Sequence, residues 1–226
     1  MKKLVVLTGA GMSAESGIKT FRDSGGLWEE HRIEDVATYE AWHNNMQLVL
    51  EFYNQRRKQL YECEPNAAHI ALTGLEKKYE VQIITQNIDD LHEKAGSTKV
   101  LHLHGELKKV RSTVDENLIY ILNGWELKKG DLCEKGSQLR PHIVWFGEAV
   151  PNITLAAQLS SEAEIYLVIG TSLNVYPAAG LLNYVHAGVP KYLIDPKGSA
   201  VTGIRNLKVI KKTATEGIKE LIEKCL

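Results

Sequence analysis

A series of short β-branched and aliphatic runs, each closed by a turn signal, constrains the fold of this chain more than any other feature. They fall at Lys3–Leu7, Val81–Thr85, Val100–Leu103, Ile143–Phe146, Ile165–Ile169, Lys191–Ile194 and Lys208–Ile210. A continuous apolar run this short has no polar face, so each reads as a strand buried on both sides. Helical patterns lie between several of them, at Ala67–Lys78, Leu155–Ser160, Ala178–His186 and Thr215–Lys224. Strand and helix in alternation predict an α/β chain with a doubly wound parallel sheet.

Two segments break the alternation. From Trp28 to Glu64, aromatic and charged residues recur at helical spacing; from Leu107 to Arg140, glycines are scattered among charges, with one further expected strand at Leu118–Leu122. Together they predict a smaller lobe beside a Rossmann-like part. The expectation is one domain over 1–226, with the Rossmann-like part at about 1–27, 65–106 and 141–226 and the lobe at about 28–64 and 107–140. The 226 residues suffice to bury a full core. Lys and Arg number 27 against 28 acidic residues, so no net field attracts nucleic acid or an anionic membrane. The opening MKKLVVLTG has too short an apolar run for a secretory leader, and no stretch approaches the ~18 apolar residues of a membrane span. Three widely spaced cysteines, Cys63, Cys133 and Cys225, fit a reduced cytoplasmic protein.

Gly9-Ala10-Gly11-Met12-Ser13-Ala14 follows the first strand and fits the G-x-G-x-x-A pattern, in which glycines let backbone approach a pyrophosphate and a helix N-terminus meets its charge. No second strand ending in an acid appears ~20 residues on, as a dehydrogenase would have. A loop bearing Phe21, Arg22 and Trp28 comes instead, able to close over a phosphate or simply to lie on the surface. Thr85-Gln86-Asn87-Ile88-Asp89 stands at the carboxyl end of a strand, where doubly wound sheets hold ligands, although Asn and Asp there also serve as helix caps. In Leu101-His102-Leu103-His104-Gly105 the two histidines, one residue apart on a strand, point to the same face, and either could be a general base.

The stretch GAGMSAESGIKTFR, with TQNID, His104-Gly105 and Gly170-Thr171-Ser172, resembles the sirtuin family of NAD-dependent protein deacylases over about Leu4 to Ala214. The resemblance implies an enzyme that moves an acyl group from a lysine side chain to ADP-ribose and releases nicotinamide. It selects His104 as the base and implies a catalytic role for Asn87. It implies nicotinamide contacts at Asn87 and Asp89, a ribose contact at Gln86, and further NAD contacts at Gly9, Ala10, Gly11, Ala14, Phe21, Arg22, Trp28, Ile88, Gly170, Thr171, Ser172, Asp195 and Ala214. Asp195 departs from the family's usual Asn-x-Glu, though a carboxylate still accepts ribose hydroxyls. Acyl-lysine proteins are the implied partners, their backbone pairing with Val144, Phe146 and Gly147 on one side and Asn174-Val175-Tyr176 on the other; alone, Trp145 and Phe146 read as an aromatic core strand.

Tyr53 and Arg56, three residues apart, share a helix face, and with Ala37 they match the pattern of sirtuins that prefer succinyl- and malonyl-lysine. A guanidinium and a phenol suit a distal carboxylate, and the small Ala37 leaves room for it. Most sirtuins hold a structural zinc with two cysteine pairs. Between Lys109 and Arg140 only Cys133 is present, with Ser112 and Asp115 near the first pair's place, so no zinc is expected. Packing by Leu118, Ile119, Tyr120, Ile121, Leu122 and Trp125 is expected to hold the lobe instead. The competing functions are protein mono-ADP-ribosyl transfer and a non-catalytic NAD-sensing module.

Overall fold

The computed structural model describes residues 1–19, 31–198 and 203–226, together with the backbone of 27 and 28. In chain order its elements are β1 (Lys2–Thr8), β2 (Leu27–Trp28), β3 (His31–Arg32), α1 (Ile33–Val36), α2 (Tyr39–Asn44), α3 (Met46–Glu62), α4 (Ala67–Leu75), β4 (Tyr79–Thr85) and α5 (Leu91–Lys94). The chain continues through β5 (Val100–His102), β6 (Gly105–Ser112), β7 (Ile119–Ile121), β8 (Leu139–Ile143), α6 (Ile153–Ser161), β9 (Ile165–Ile169), β10 (Lys191–Ile194), β11 (Leu207–Ile210) and α7 (Ala214–Cys225).

Six strands form a parallel sheet in the order β11-β10-β9-β1-β4-β5. The chain reverses its direction of winding at β1, so the crevice above β1 and β9 is the place where such a sheet takes ligands. Strand alternation explains why β1 tolerates no polar residue in its middle. Leu4 and Val6 pack on one face with Ala68 and Leu72 of α4 and Ile218 and Leu221 of α7. Val5 and Leu7 pack on the other with Ala156 of α6 and Leu181 and Leu182. All four strand residues are fully buried, each worth up to ~1.5–3 kcal/mol. The edge strand β11 departs from expectation: Lys208 and Val209, on its opposite faces, are both exposed, because helices cover the rim of the sheet only in part. The segment at Ala178–Tyr184 is a 3-10 helix rather than an α-helix.

A second, three-stranded antiparallel sheet, ordered β7-β6-β8, stands beside α1, α2 and α3. The run at Ile143–Phe146 is not a buried strand of the main sheet. Ile143 ends β8 of the small sheet, and 144–146 continues as a loop whose Val144 and Phe146 N–H groups donate to the carbonyls of His104 and Ala37, at 3.0 and 2.9 Å. The lobe's packing is also corrected. Ile119 and Ile121 are exposed, since β7 is an edge strand with its alternate residues facing water, while Tyr120 and Leu122 reach the core; Trp125, beyond the strand, is exposed as well. That core comes chiefly from Val49, Leu50, Phe52, Tyr53 and Leu60 of α3 with Leu107, Val110, Leu127 and Trp145.

Polar staples from α3 hold the rest of the lobe. Asn54 donates from Nδ2 to the Leu127 carbonyl (3.0 Å) and accepts the Leu127 N–H on Oδ1 (2.9 Å). Arg57, fully buried, donates to the carbonyls of Leu107 (2.7 Å) and Trp125 (3.1 Å) and to Asn54 Oδ1 (2.6 Å). Burial lowers its pKa to about 10, still charged at neutral pH. Where a zinc pair would be expected, Ser112 Oγ accepts the N–H groups of Val114 and Asp115 and lies 3.4 Å from Cys133 Sγ. Among the described residues no cluster of His, Cys, Asp or Glu could hold a metal ion.

Candidate active site

One cavity of about 530 Å³ opens between the six-stranded sheet and the lobe, within the ~300–1,000 Å³ range of small-molecule sites. Its floor is the turn after β1. Gly9 N–H donates to Ile169 O (3.0 Å) and Gly11 N–H to Gly170 O (2.8 Å), pressing the turn against the end of β9. A Cβ on Gly11 would stand 2.7 Å from Gly170 Cα, and one on Gly170, whose φ is +66°, 2.2 Å from Met12 N. Glycine is therefore required at both positions for the backbones to meet. The turn continues into two 3-10 turns, Ala10–Met12 and Ala14–Ser16, not into the α-helix whose N-terminus the pattern implies.

At one end of the cavity three side chains from two motifs form a polar knot. Asn87 donates from Nδ2 to Gly9 O and to Ser13 Oγ, both at 3.1 Å. With both its hydrogens used, the amide keeps Oδ1 as its accepting group. Ser13 donates to Asp89 Oδ2 (2.9 Å), and Leu91 N–H donates to Oδ1 (3.2 Å). Burial raises the Asp89 pKa, opposed by those two bonds. Gln86 donates to Thr171 Oγ1 (3.3 Å), and Ile88 and Ser172 complete this wall.

His104 lines the cavity and His102 does not, although a continuous strand would have set them on one face. β5 ends at His102, and the chain turns before β6 begins at Gly105. Gly105 has a φ of +83°, and a Cβ there would lie 2.0 Å from His142 O, so no other residue fits the crossing. His102 bonds instead to Glu93 Oε1 (2.8 Å) and the Asn87 carbonyl (3.1 Å). Burial opposes protonation of His102, but Glu93 outweighs it and raises the pKa. His104 Nδ1 lies 2.9 Å from Gln86 O and so carries the hydrogen, leaving Nε2 with its lone pair. Burial lowers the His104 pKa, partly offset by that bond.

At the other end, Asp195 is buried at the carboxyl end of β10, beside Ala214 at the start of α7. Between the lobes, Ala37, Tyr53 and Arg56 share a third wall. Tyr53 is fully buried and accepts the indole N–H of Trp145 at 3.1 Å. Val144, Phe146 and Gly147 face the cavity together with Val175; Asn174 does not line it. Arg140 orders that first segment: it pairs with Glu148 through two bonds (2.7 and 3.0 Å) and lies 3.4 Å above the Trp145 ring. Ala10, Ala14, Gly170 and Thr171 also line the cavity. Phe21 and Arg22 lie outside the described residues, as does the Trp28 side chain. Trp145 and Glu148, within the segment read as substrate-pairing, line the cavity too, as do Ser13, Lys197 and Thr213, to which sequence reading gave no role. Ser13 had a signal, since it sits inside the glycine motif facing the TQNID carboxylate.

The cavity thus offers the Asn87–Ser13–Asp89 knot with an accepting amide oxygen, a glycine cradle that only backbone can approach, and the Asp195 carboxylate. Those features fit a dinucleotide with a carboxamide base, a pyrophosphate and a ribose.

The Sir2 family model matches residues 9–177. The chain is 56% identical to an NAD-dependent protein deacylase of Bacteroides thetaiotaomicron, over 98% of this chain and 97% of that one. It is 54% identical to another from Helicobacter pylori, over 100% and 98%. A solved Sir2 homolog–NAD complex superposes with a TM-score of 0.87 at 40% identity, covering 98% of this chain and 88% of the other. A Sir2 variant with a deacetylated p53 peptide and 3′-O-acetyl ADP-ribose superposes at 0.82 with 31% identity, covering 98% and 93%.

Proposed function

This chain belongs to the Sir2 family and is an NAD-dependent protein deacylase, and from that premise we propose which of its residues carry the reaction and which acyl groups it prefers. NAD supplies the ribose carbon and hydroxyls that collect the acyl group, with nicotinamide as the group that departs. Gly9, Ala10, Gly11 and Ala14, with Gly170, Thr171 and Ser172, hold the pyrophosphate and adjoining ribose, together with Phe21, Arg22 and Trp28. Asp195 and Ala214 serve the adenosine end. Asn87, Asp89, Gln86 and Ile88 orient the nicotinamide half, so that a single face of the ribose meets the acyl oxygen.

His104 is the base. Its Nδ1 hydrogen is committed to Gln86 O, so Nε2 is the nitrogen that takes the ribose hydroxyl proton. The observation that carries this reading is the convergence of the Gly9 turn, Asn87 and His104 on one cavity. Substrate backbone lies between Val144, Phe146 and Gly147 on one side and Val175 on the other, a mode that reads few side chains.

Ala37, Tyr53 and Arg56 favour an acidic acyl group, since the phenol and guanidinium share a wall of that cavity with a methyl side chain. A charge-assisted hydrogen bond is worth roughly 1.5–3 kcal/mol, about a 10- to 150-fold preference. The lobe works without zinc, its place near Ser112, Asp115 and Cys133 being tied by hydroxyl bonds. We read 1–226 as one domain, with the Rossmann-like part at about 1–27, 65–106 and 141–226 and the lobe at about 28–64 and 107–140. A reduced cytoplasmic setting suits the three free thiols, and near-neutral charge argues against direct nucleic-acid or membrane binding. Among the described residues no helix is long and apolar enough to cross a membrane.

Incubation with NAD and matched acetyl- and succinyl-lysine peptides, read by mass spectrometry, tests this function. One nicotinamide and one acyl-ADP-ribose are expected per free lysine. Arg56→Met should lower desuccinylation about 10- to 150-fold and deacetylation by no more than about threefold. Equal losses would remove the acyl preference, and ADP-ribose attached to protein without deacylation would remove the reaction.

A further inference from the structure

Beneath the cavity floor lie two histidines that the reaction does not touch. His69 of α4 and His92 of α5 are fully buried, their rings edge-to-face with centroids 4.9 Å apart. His92 Nε2 lies 3.1 Å from Thr8 Oγ1, and Thr8 donates its only hydroxyl hydrogen to Thr85 Oγ1 (2.9 Å). His92 Nε2 must therefore be the donor, which leaves Nδ1 as a bare lone pair. On His69 the order is set from the other side. The Asn66 N–H donates to His69 Nδ1 (3.3 Å), so Nε2 carries the hydrogen.

The two atoms left over are His69 Nε2–H and His92 Nδ1, both buried without a hydrogen-bond partner among the described residues. One is a donor and the other an acceptor, on touching rings. No hydrogen bond joins the two atoms, so the rings are coupled by their edge-to-face contact.

Both ends of this chain of groups reach the site. Asn66 Nδ2 donates to Met12 O (2.9 Å) and Ser16 Oγ (3.1 Å), within the turn that carries Ser13. At the far end Thr85 Oγ1 also accepts the Asn87 N–H (3.0 Å). Thr8 and Thr85 are register partners at the carboxyl ends of the adjacent strands β1 and β4.

We infer that His69 and His92 are positioning residues: a coupled pair fixed in the Nε2–H tautomers, running from Asn66 through Thr8 and Thr85 to Asn87, which sets the glycine turn and the Asn87 loop at one height. The role of Asn87 toward nicotinamide is taken from the function proposed above. Burial depresses both imidazoles, His69 to about 4 and His92 to about 3, so both are neutral at working pH, as the tautomers require.

Two measurements test the pair. Long-range proton–nitrogen NMR of the full-length protein labelled in histidine should show both rings neutral at pH 7 with the hydrogen on Nε2; a His92 hydrogen on Nδ1, or a charged ring, overturns the inference. In kinetics, His92→Leu should raise KM for NAD and lower kcat, each about tenfold or more. His92→Gln places an amide N–H where Nε2–H stood and should restore both to within about threefold. The pH midpoint set by His104 should not move in either variant. Equal defects in the Leu and Gln variants also overturn it. Unimpaired turnover in Asn87→Ala would remove the assigned role of Asn87 while leaving the tautomer result intact.

Discussion

The proposed role of His104 as base requires an imidazole already deprotonated at working pH. Its imidazole is held below the ordinary value of ~6.5 by burial, and the base must be neutral to accept a proton. The rate should therefore rise with pH through a midpoint below ~6.5 and be flat from there through neutrality. Measuring kcat/KM for NAD between pH 5 and 8 checks it; a midpoint at or above 7 would contradict the assignment. Spacing alone left His102 and His104 equivalent. What separates them is a strand that stops one residue early and a positive φ at Gly105, neither of which a strand pattern encodes. The glycines at 9 and 11 were legible because their chemistry is local. The Arg140–Glu148 pair was not, because it joins β8 to the end of a loop and has no sequence period.

Elements follow the same division. β1, β4, β9 and β10 were readable because strand residues covered on both faces are largely apolar, with Gln82 of β4 an interruption. The strand expected at Leu118–Leu122 is present as β7, but its packing misled, because an edge strand can be β-branched on its water-facing side. The lobe depends instead on polar staples, and Asn54 is the one to remove. Asn54→Ala deletes both bonds to Leu127 and one from buried Arg57, which leaves partners unsatisfied. The expected cost is ~2–4 kcal/mol, seen as a lower urea midpoint at unchanged m and not reversed by added zinc. A loss below ~0.5 kcal/mol would show that apolar packing alone suffices.

The whole molecule should be acid-sensitive for a reason seated beneath its active site. His69 and His92 titrate near 4 and 3 when folded and near 6.5 when unfolded. Below pH ~6.5 the unfolded chain binds protons that the folded chain refuses, so stability is full above that pH and falls as pH drops toward 4. The limit is ~1.4 kcal/mol per pH unit for each ring. His102, shifted upward, opposes this, while His104 and His142, shifted downward like the pair, act with it. Urea midpoints at pH 7 and pH 5 should differ by ~1–3 kcal/mol in stability, and a midpoint that rises on acidification would exclude the account. The crossing at Gly105 has one further consequence. Main chain leaves the parallel sheet at His102 and enters the antiparallel one at Gly105, so His104, the proposed proton acceptor, is mounted on the seam between the two sheets. A compound wedged into that seam from outside would tilt the imidazole and silence the enzyme without competing for either substrate.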